Sequence, residues 1–236
     1  MSTTPKIYLI PTVLAENKNQ TLPTYILEAI KACDVFFVEN EKTTRRFFKT
    51  LWKEMVIDNY TWYSIHKAEQ EVKNSFSQAI KNNKTIGIVS EAGCPCVADP
   101  GQILVDVAHQ LHAKVIPLVG PSSILLSLMA SGLNGQSFQF TGYLPIDTTE
   151  RKKKIKELEI YSSKNNCTQI FIETPYRNNQ LFKDILLSCR PETKLCVAVD
   201  ISSDQETIVT KRVSDWQKKQ IDLHKKQVVF LFLAYG

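Results

Sequence analysis

The chain has 236 residues, of which 43% are hydrophobic and 22% are charged. These proportions are ordinary for a folded globular protein and exclude a chain that is disordered throughout. The net charge of +5 is compatible with an anionic partner such as RNA, although the excess is small. No apolar run reaches the roughly 18 to 20 residues that span a bilayer, and the first residues lack the pattern of a secretory signal. We therefore expect a cytoplasmic protein that does not associate with a membrane.

Short apolar strands alternate with amphipathic helices in the first half of the chain. Lys6 to Ile10 is the first predicted strand, and Thr21 is the predicted cap of a helix with Pro23 in its first turn. Further strands are predicted at 35–38, 85–89 and 114–119, and helices at 42–51, 66–80, 101–112 and 122–131. Strands that alternate with helices in this way pair in parallel through right-handed crossovers.

The second half has a different pattern. Strands are predicted at 138–143, 167–172, 194–199, 206–213 and 227–233, with a charged helix at 148–161. Only a short helix at 214–220 separates the last two strands, which favours a mixed sheet with antiparallel members. We therefore predict an α/β fold with two α/β domains: residues 1–118 with a mainly parallel sheet and residues 119–236 with a mixed sheet. The densest basic cluster, residues 151–154, is interpreted as a solvated helix face rather than as an RNA contact.

The segment from Ser90 to Gly101, SEAGCPCVADPG, directly follows the predicted strand at 85–89 and precedes a helix. Ligands of parallel sheets bind beyond the carboxyl ends of the strands. The two glycines permit close backbone approach and the two prolines stiffen the segment, which suits an adenosine or amino-acid group. The alternative is a plain connection in which Asp99 caps the next helix.

Two further segments follow predicted strands. In Val119-Gly120-Pro121-Ser122-Ser123-Ile124, either serine can cap the helix that follows, and free N–H groups there can receive a ligand carboxylate or hydroxyl. The segment 173–177, ETPYR, places a carboxylate, a hydroxyl and a guanidinium at a strand end. Its alternative role, the start of a helix with Pro175 in the first turn, does not exclude a role in binding.

Several familiar sites are absent from the sequence. No G-x-G-x-x-G follows the first strand, and G-x-x-x-x-G-K-[ST] and G-x-S-x-G occur nowhere, which argues against nicotinamide, ATP and α/β-hydrolase chemistry on those motifs. Cys94 and Cys96 are separated by Pro95 alone, which is not the spacing of a zinc site, and no suitable histidine pair accompanies them. We therefore expect no bound metal.

Taken in order, these segments resemble the tetrapyrrole methylase family, the class III S-adenosylmethionine-dependent methyltransferases. Within that family the chain is most similar to the branch that methylates a cytidine ribose 2′-hydroxyl in small-subunit ribosomal RNA. The resemblance covers nearly the whole chain. It is carried by SEAGCPCVADPG at 90–101, VGPSS at 119–123 with ASGL at 130–133, FTGYLP at 140–145, ETPYR at 173–177 and, more loosely, VENEKTTR at 38–45.

The resemblance implies a tetrapyrrole-methylase-like fold, S-adenosylmethionine bound in the cleft between the two domains, an RNA substrate and a homodimer. By position in the matched motifs, the implied cofactor contacts are Pro11, Thr12, Cys94, Val97, Ser122, Ser123, Ile124, Glu173, Thr174 and Ala198.

Glu91 and Arg177 are the candidate catalytic residues. A ribose hydroxyl is a poor nucleophile that a general base would assist, and Glu91 stands at a strand end beside the predicted cofactor turn. Arg177 is suited to holding a phosphate or carboxylate of the substrate. The alternative for Glu91 is a structural carboxylate that caps nearby amides.

Three segments depart from the family's pattern. The stretch from Pro11 to Asn17 lacks a glycine, only His66 and Glu69 are left of a His-Glu-His-Asn-Glu motif, and residues 198–203 lack an arginine and a lysine. These departures fall more on the segments expected to face the substrate than on those expected to hold the cofactor. A small-molecule methyltransferase acting on a tetrapyrrole and a non-catalytic cofactor-binding relative are therefore alternatives to an RNA methyltransferase.

Overall fold

The computed structural model describes residues 4–65 and 69–235, and it divides the chain into two compact units that meet between Ser122 and Ser123. His66 and the side chain of Glu69 lie outside the described residues. Within the part of the chain that is described, no helix combines the length and apolar character required to cross a membrane.

The first unit is built on five parallel strands within the described residues. Its strands are β1 (Lys6–Ile10), β2 (Val35–Val38), β3 (Thr61–Ser64), β4 (Ile86–Val89) and β5 (Lys114–Pro117). Its helices are α1 (Tyr25–Ala32), α2 (Glu41–Leu51), α3 (Glu69–Lys81) and α4 (Gln102–Gln110). The strand order is β3-β2-β4-β1-β5, so β1 lies between β4 and β5. The predicted parallel sheet is confirmed.

Neighbouring phenylalanines of β2 supply both faces of this sheet. Phe36 packs with Phe48 and Trp62 in one core, with ring centroids 5.0 Å and 4.8 Å away. Phe37 packs with Tyr63 and Phe76 in the other, at 4.8 Å and 5.0 Å. Because successive side chains of a strand point to opposite faces, one apolar run serves two cores, and helices cover both sides.

One prediction for the first unit is wrong, and one element was not predicted. Thr21 does not cap a helix: it ends a short 3₁₀ turn and its hydroxyl donates to the carbonyl of Lys18 at 2.8 Å, while α1 begins only after Thr24. The strand β3 is not among the predicted elements. This four-residue strand lies at the sheet edge and is partly exposed, so it carries neither a long apolar run nor a clear alternation.

The second unit contains a mixed sheet, as predicted. Its strands are β6 (Phe138–Tyr143), β7 (Thr168–Ile172), β8 (Lys194–Val199), β9 (Thr207–Arg212) and β10 (Val228–Leu233). Its helices are α5 (Ser123–Ser131), α6 (Thr148–Asn165), α7 (Asn178–Ser188) and the single turn α8 (Val213–Trp216). In the order β6-β7-β10-β8-β9, β6 and β7 are parallel and the other neighbours are antiparallel.

The basic cluster at 151–154 is not wholly solvated, so that prediction is wrong for Arg151. Its side chain is only 4% exposed, and its Nε and Nη2 donate to Oδ2 of Asp184 on α7 at 2.8 Å and 2.6 Å. Its Nη1 donates to the carbonyl of Ile146 at 2.6 Å. Lys152 also reaches Asp184, at 3.8 Å, but is 40% exposed. The two residues differ because Arg151 lies on the inward face of α6, opposite the buried Asp184 carboxylate, whereas Lys152 is partly exposed.

We expect Arg151→Met to lower the free energy of unfolding by about 3–5 kcal/mol, because it leaves the Asp184 carboxylate buried without its main partner. Lys152→Met is the matched control and should cost no more than about 1 kcal/mol, as exposed ion pairs do. Urea denaturation followed by circular dichroism measures both. Equal losses for the two variants would contradict the structural role assigned to Arg151.

Candidate functional site

Three chain turns meet at the carboxyl edge of the parallel sheet, where β4, β1 and β5 end side by side. The backbone N–H of Thr12, after β1, donates to the carbonyl of Gly93, after β4, at 2.9 Å. The Thr12 hydroxyl donates to the carbonyl of Ser90 at 3.3 Å. Thr12 and Ser90 are both buried. These bonds fix the segment after β4 against the turn after β1.

The turn after β5 joins the same cluster. The thiol of Cys94 donates to the carbonyls of Gly120 and Pro121 at 3.6 Å and 3.4 Å. A Cβ on Gly120 would lie 2.2 Å from the Cβ of Pro11, which real Cβ atoms do not allow. The glycine is therefore required by close packing of two turns. The structure brings together the predicted contacts Pro11, Thr12 and Cys94.

The backbone of the segment after β4 is unusual. Cys96 and Ala98 have positive φ angles of 67° and 62°, in a region that residues with a Cβ seldom adopt. Val97, between them, is 49% exposed. Backbone strain of this kind persists where surrounding contacts impose it, and it is concentrated at binding sites and active sites. Here the hydrogen bonds of Gly93 and Cys94 hold the segment, in which Val97 is exposed while Pro95 is buried.

Glu91 is held by two residues from the end of β2 and the start of α2. Its backbone N–H donates to Oε2 of Glu39 at 2.9 Å, and its own Oε1 accepts from the Thr43 hydroxyl at 2.9 Å. The predicted alternative had Glu91 capping nearby amides. In the structure it is Glu39 that accepts a hydrogen bond from an amide, the Glu91 N–H. The Glu91 carboxylate itself accepts a hydrogen bond from a hydroxyl and is exposed.

Asp99 completes a group of three carboxyls with Glu39 and Glu91. Burial, and then the charges of Glu39 and Glu91, raise the pKa of Asp99 to about 6, against a hydrogen bond with Ser90 that lowers it. The alternative that Asp99 caps α4 is wrong, because the N-cap is Gly101 and no side chain caps that helix. Burial also raises the pKa of the Cys96 thiol to about 11, so this thiol is protonated at neutral pH.

In the second unit, a buried carboxylate follows β7. Glu173 is 1% exposed in its side chain, and its Oε1 accepts from the Thr174 N–H at 2.7 Å and from Arg177 Nε and Nη2 at 3.0 Å and 2.6 Å. Its Oε2 is buried and has no hydrogen-bond partner among the described residues. Buried acceptors are nearly always paired, so this oxygen is available to a ligand donor.

The other predicted residues have different surroundings. Ser122 ends the first unit, whereas Ser123 and Ile124 begin α5, where Ile124 is buried. Ala198 lies in β8 without exposed surface and pairs with Val229 and Ile208. Of the residues predicted in the second unit, Glu173, Thr174 and Arg177 therefore form one hydrogen-bonded cluster. Ala198 lies within the sheet.

Three residues around Glu91 were not predicted as site residues: Glu39, Thr43 and Asp99. Glu39 directly follows the buried strand β2, which is the position that parallel sheets use for ligands. This position after a buried strand was a usable signal for Glu39. The contact of Glu39 with Glu91 could not be predicted, because it depends on β2 lying beside β4, and the strand order is not evident from local pattern. All six cysteines, which lie within the described residues, are free.

The raised pKa of Asp99 predicts a stability effect of pH. Because its folded pKa of about 6 exceeds the ordinary value of 3.8, the unfolded state releases this proton first as pH rises. The free energy of unfolding should therefore fall between pH 4 and pH 6 in the wild type by more than in Asp99→Asn. Chemical denaturation of both proteins at these pH values tests this, and parallel pH profiles would refute it.

Comparison with known proteins agrees with these observations. The model of the family described as Tetrapyrrole (Corrin/Porphyrin) Methylases matches residues 22–217. Ribosomal RNA small subunit methyltransferase I of Vibrio cholerae is 29% identical over 98% of this chain and 78% of that protein. The protein of the same name from Buchnera aphidicola subsp. Acyrthosiphon pisum is 28% identical over 95% of this chain and 77% of its own length.

Solved structures show the same fold at lower identity. The methyltransferase CobJ has a TM-score of 0.64 at 12% identity, with 99% of this chain and 95% of that chain covered. The cobalt precorrin-4 methyltransferase CbiF has a TM-score of 0.63 at 13% identity, with 97% and 94% covered. The predicted resemblance and fold class are confirmed: this chain belongs to the tetrapyrrole methylase family and is a methyltransferase.

Proposed function

We propose that this chain transfers a methyl group from S-adenosylmethionine to the ribose 2′-hydroxyl of a cytidine in small-subunit ribosomal RNA. The observation that carries the substrate is the similarity to proteins named ribosomal RNA small subunit methyltransferase I, which extends over 95–98% of the chain at 28–29% identity. The corrin-type enzymes share only the fold, at 12–13% identity. The reaction also requires a site for the cofactor and a proton acceptor.

The residues of both units fit S-adenosylmethionine. In the first unit, Val97 is exposed in the turn from Cys94 to Val97, and the Cys94 thiol holds this turn against Gly120, which packs on the Pro11 ring. In the second unit, the buried Oε2 of Glu173 lacks a donor, and the cofactor carries ribose hydroxyls and an ammonium group that would supply one. The proposed contacts are those predicted from sequence: Pro11, Thr12, Cys94, Val97, Ser122, Ser123, Ile124, Glu173, Thr174 and Ala198.

When bound, the cofactor supplies a methyl group activated by its sulfonium charge, so the protein's own part is to orient the substrate and to remove its proton. In this proposal the Glu91 carboxylate accepts the proton of the ribose hydroxyl. Thr43 and Glu39 hold Glu91 by its side chain and its amide, leaving Oε2 of Glu91 as the acceptor. Because Glu91 is exposed, water can take the proton from it afterwards.

Arg177 is proposed to hold a phosphate of the substrate. Its Nε and Nη2 are fixed by Glu173, which orients the guanidinium while 35% of the side chain stays exposed. A guanidinium that is already held in one orientation loses little conformational entropy when it binds an anion. We also propose a homodimer, to be tested by light scattering, and a cytoplasmic location, since ribosomal RNA is the proposed substrate.

A tetrapyrrole substrate is the second candidate, because residues 198–203 lack the arginine and lysine of the family pattern. Asp200 of this segment accepts from the Gln227 N–H at 3.0 Å and lies 3.6 Å from the ammonium of Lys226, which lies outside the segment. Residues 198–203 themselves carry no cationic side chain for the phosphates of an RNA.

The first test is calorimetric titration of the purified chain with S-adenosylmethionine and, in parallel, S-adenosylhomocysteine. We expect saturable one-site binding of both. Incubation with radiolabelled cofactor and undermethylated small-subunit RNA should then label the RNA at a cytidine ribose, with a tetrapyrrole acceptor as the comparison. Labelling of the tetrapyrrole alone would replace the proposed substrate, and failure of the chain to bind either cofactor form would remove the proposed chemistry.

Glu91→Gln should reduce kcat by about 10²–10⁴, because it removes the proton acceptor, and should leave cofactor affinity unchanged. Thr43→Val, which keeps the carboxylate but removes its hydroxyl partner, should give a smaller loss. Glu41→Gln is the matched control, since Glu41 lies on α2, as Thr43 does, and its carboxylate pairs with Arg45 at 2.8 Å. Full turnover by Glu91→Gln would show that Glu91 is not the base.

A further inference from the structure

A hollow of about 250 Å³ lies in the second unit, beside β8 and β9 and under the segment that connects α8 to β10. Its wall is mostly apolar and includes the side chains of Val197, Val199, Val209, Trp216, Ile221 and Leu223. This volume is below the about 300–1,000 Å³ of pockets that enclose drug-sized ligands. A single planar ring system of moderate size fits it better than a macrocycle does.

Three lysines stand around this apolar wall: Lys211, Lys219 and Lys226. Lys211 and Lys219 both line the hollow. The Lys219 side chain, and then burial, lower the pKa of Lys211 from its ordinary value, whereas the charge of Asp215 raises it. Lys211 also stands over the Trp216 ring, 5.6 Å from its centroid. Like charges so placed repel each other, and an anion between them would relieve that repulsion.

Carboxylates also lie near the hollow. Asp222, which lines it, accepts from the Asn179 amide at 2.8 Å and from the His224 N–H at 3.0 Å. Asp215 lies 3.7 Å from Lys218 and its charge also acts on Lys211, and Asp200 lies 3.6 Å from Lys226. Of the charged side chains that line the hollow, three are lysines and one is Asp222, so the balance of charge around a ligand is positive.

The hollow is separate from the proposed cofactor contact in the same strand. Val197 and Val199 belong to the core formed with α6 and α7, and they flank Ala198 in β8. Since successive residues of a strand point to opposite faces, the hollow and Ala198 lie on opposite faces of the sheet. A ligand in the hollow would therefore anchor the substrate and would not carry the reacting atom.

We propose that this hollow binds one nucleotide of a single-stranded RNA segment, with the base against the apolar wall and the phosphate at Lys211 and Lys219. The proposal rests on the proposed RNA substrate and adds a second contact point to it. Proteins that hold single-stranded RNA combine basic side chains for the backbone with apolar and aromatic surface for the bases. An acidic peptide would use the lysines but has no planar group to fill the wall.

Affinity for a fluorescein-labelled single-stranded RNA, measured by anisotropy with S-adenosylhomocysteine present, tests the proposal. Lys211→Ala/Lys219→Ala should weaken binding about tenfold and lower the slope of log K against log salt by about 0.7, the value for one phosphate contact. Ile221→Ala should weaken binding about fivefold with the slope unchanged, because it removes only contact with the base. Cofactor affinity should stay the same in all variants.

Lys218→Ala is the matched control, because Lys218 precedes Lys219 in the chain, is 78% exposed and does not line the hollow. It should bind RNA like the wild type. A loss equal to that of the double variant would show a general charge effect and overturn the proposal. Displacement of the RNA by a polyglutamate peptide as readily as by cytidine 5′-monophosphate would assign the hollow to an acidic protein instead.

The two proposals fail in different ways. If the wild type binds S-adenosylhomocysteine but no RNA, the proposed substrate is wrong. The hollow is then decided by ligand-observed NMR with cytidine 5′-monophosphate: binding that the double variant loses supports a nucleotide site, and no binding overturns it. If the wild type binds RNA and the double variant binds equally well, the hollow has no role and the proposed substrate is unaffected.

Discussion

The hydrogen bond from the Thr12 N–H to the Gly93 carbonyl is the interaction on which the first unit's site depends. It is possible because β1 lies between β4 and β5, so that the turn after β1 can touch the turns after both neighbours. The approach of Gly120 to Pro11 closes the other side of the same cluster. These contacts hold the segment after β4, in which Glu91 precedes the turn from Cys94 to Val97.

In the second unit, buried charged side chains form the main contacts around the predicted residues, whereas hydrogen-bonded turns do so in the first unit. Glu173 uses one carboxylate oxygen for Thr174 and Arg177 and leaves the other buried without a described partner. An unsatisfied buried acceptor costs about 1–3 kcal/mol, so a donor that reached this oxygen would be stabilising. Arg151 and Asp184 form the contrasting case, because the Arg151 guanidinium finds acceptors on every side. The comparison separates a charge that holds helices together from the Glu173 carboxylate, which we propose binds the cofactor.

Local pattern predicted much of this fold. β1, β2 and β8 were predicted to the residue, since each is an apolar run with a clear end. The edge strand β3 was missed because an exposed edge needs no apolar run. Contacts such as Glu39 with Glu91 were out of reach, since they depend on which strands are neighbours. Positive φ at Cys96 and Ala98 was equally hidden, because neither residue type favours it and only the surrounding bonds impose it.

The alternation of side chains along β8 has a consequence for divergence among related proteins. Ala198 faces one side of the sheet, while Val197 and Val199 face the other. Substitutions at the two valines can therefore change what is bound on their side without altering the opposite surface. A single-residue insertion in β8 would exchange the two surfaces at once. Point substitution on one face is thus tolerated where insertion is not, so the two faces can diverge independently only while the length of the strand is kept.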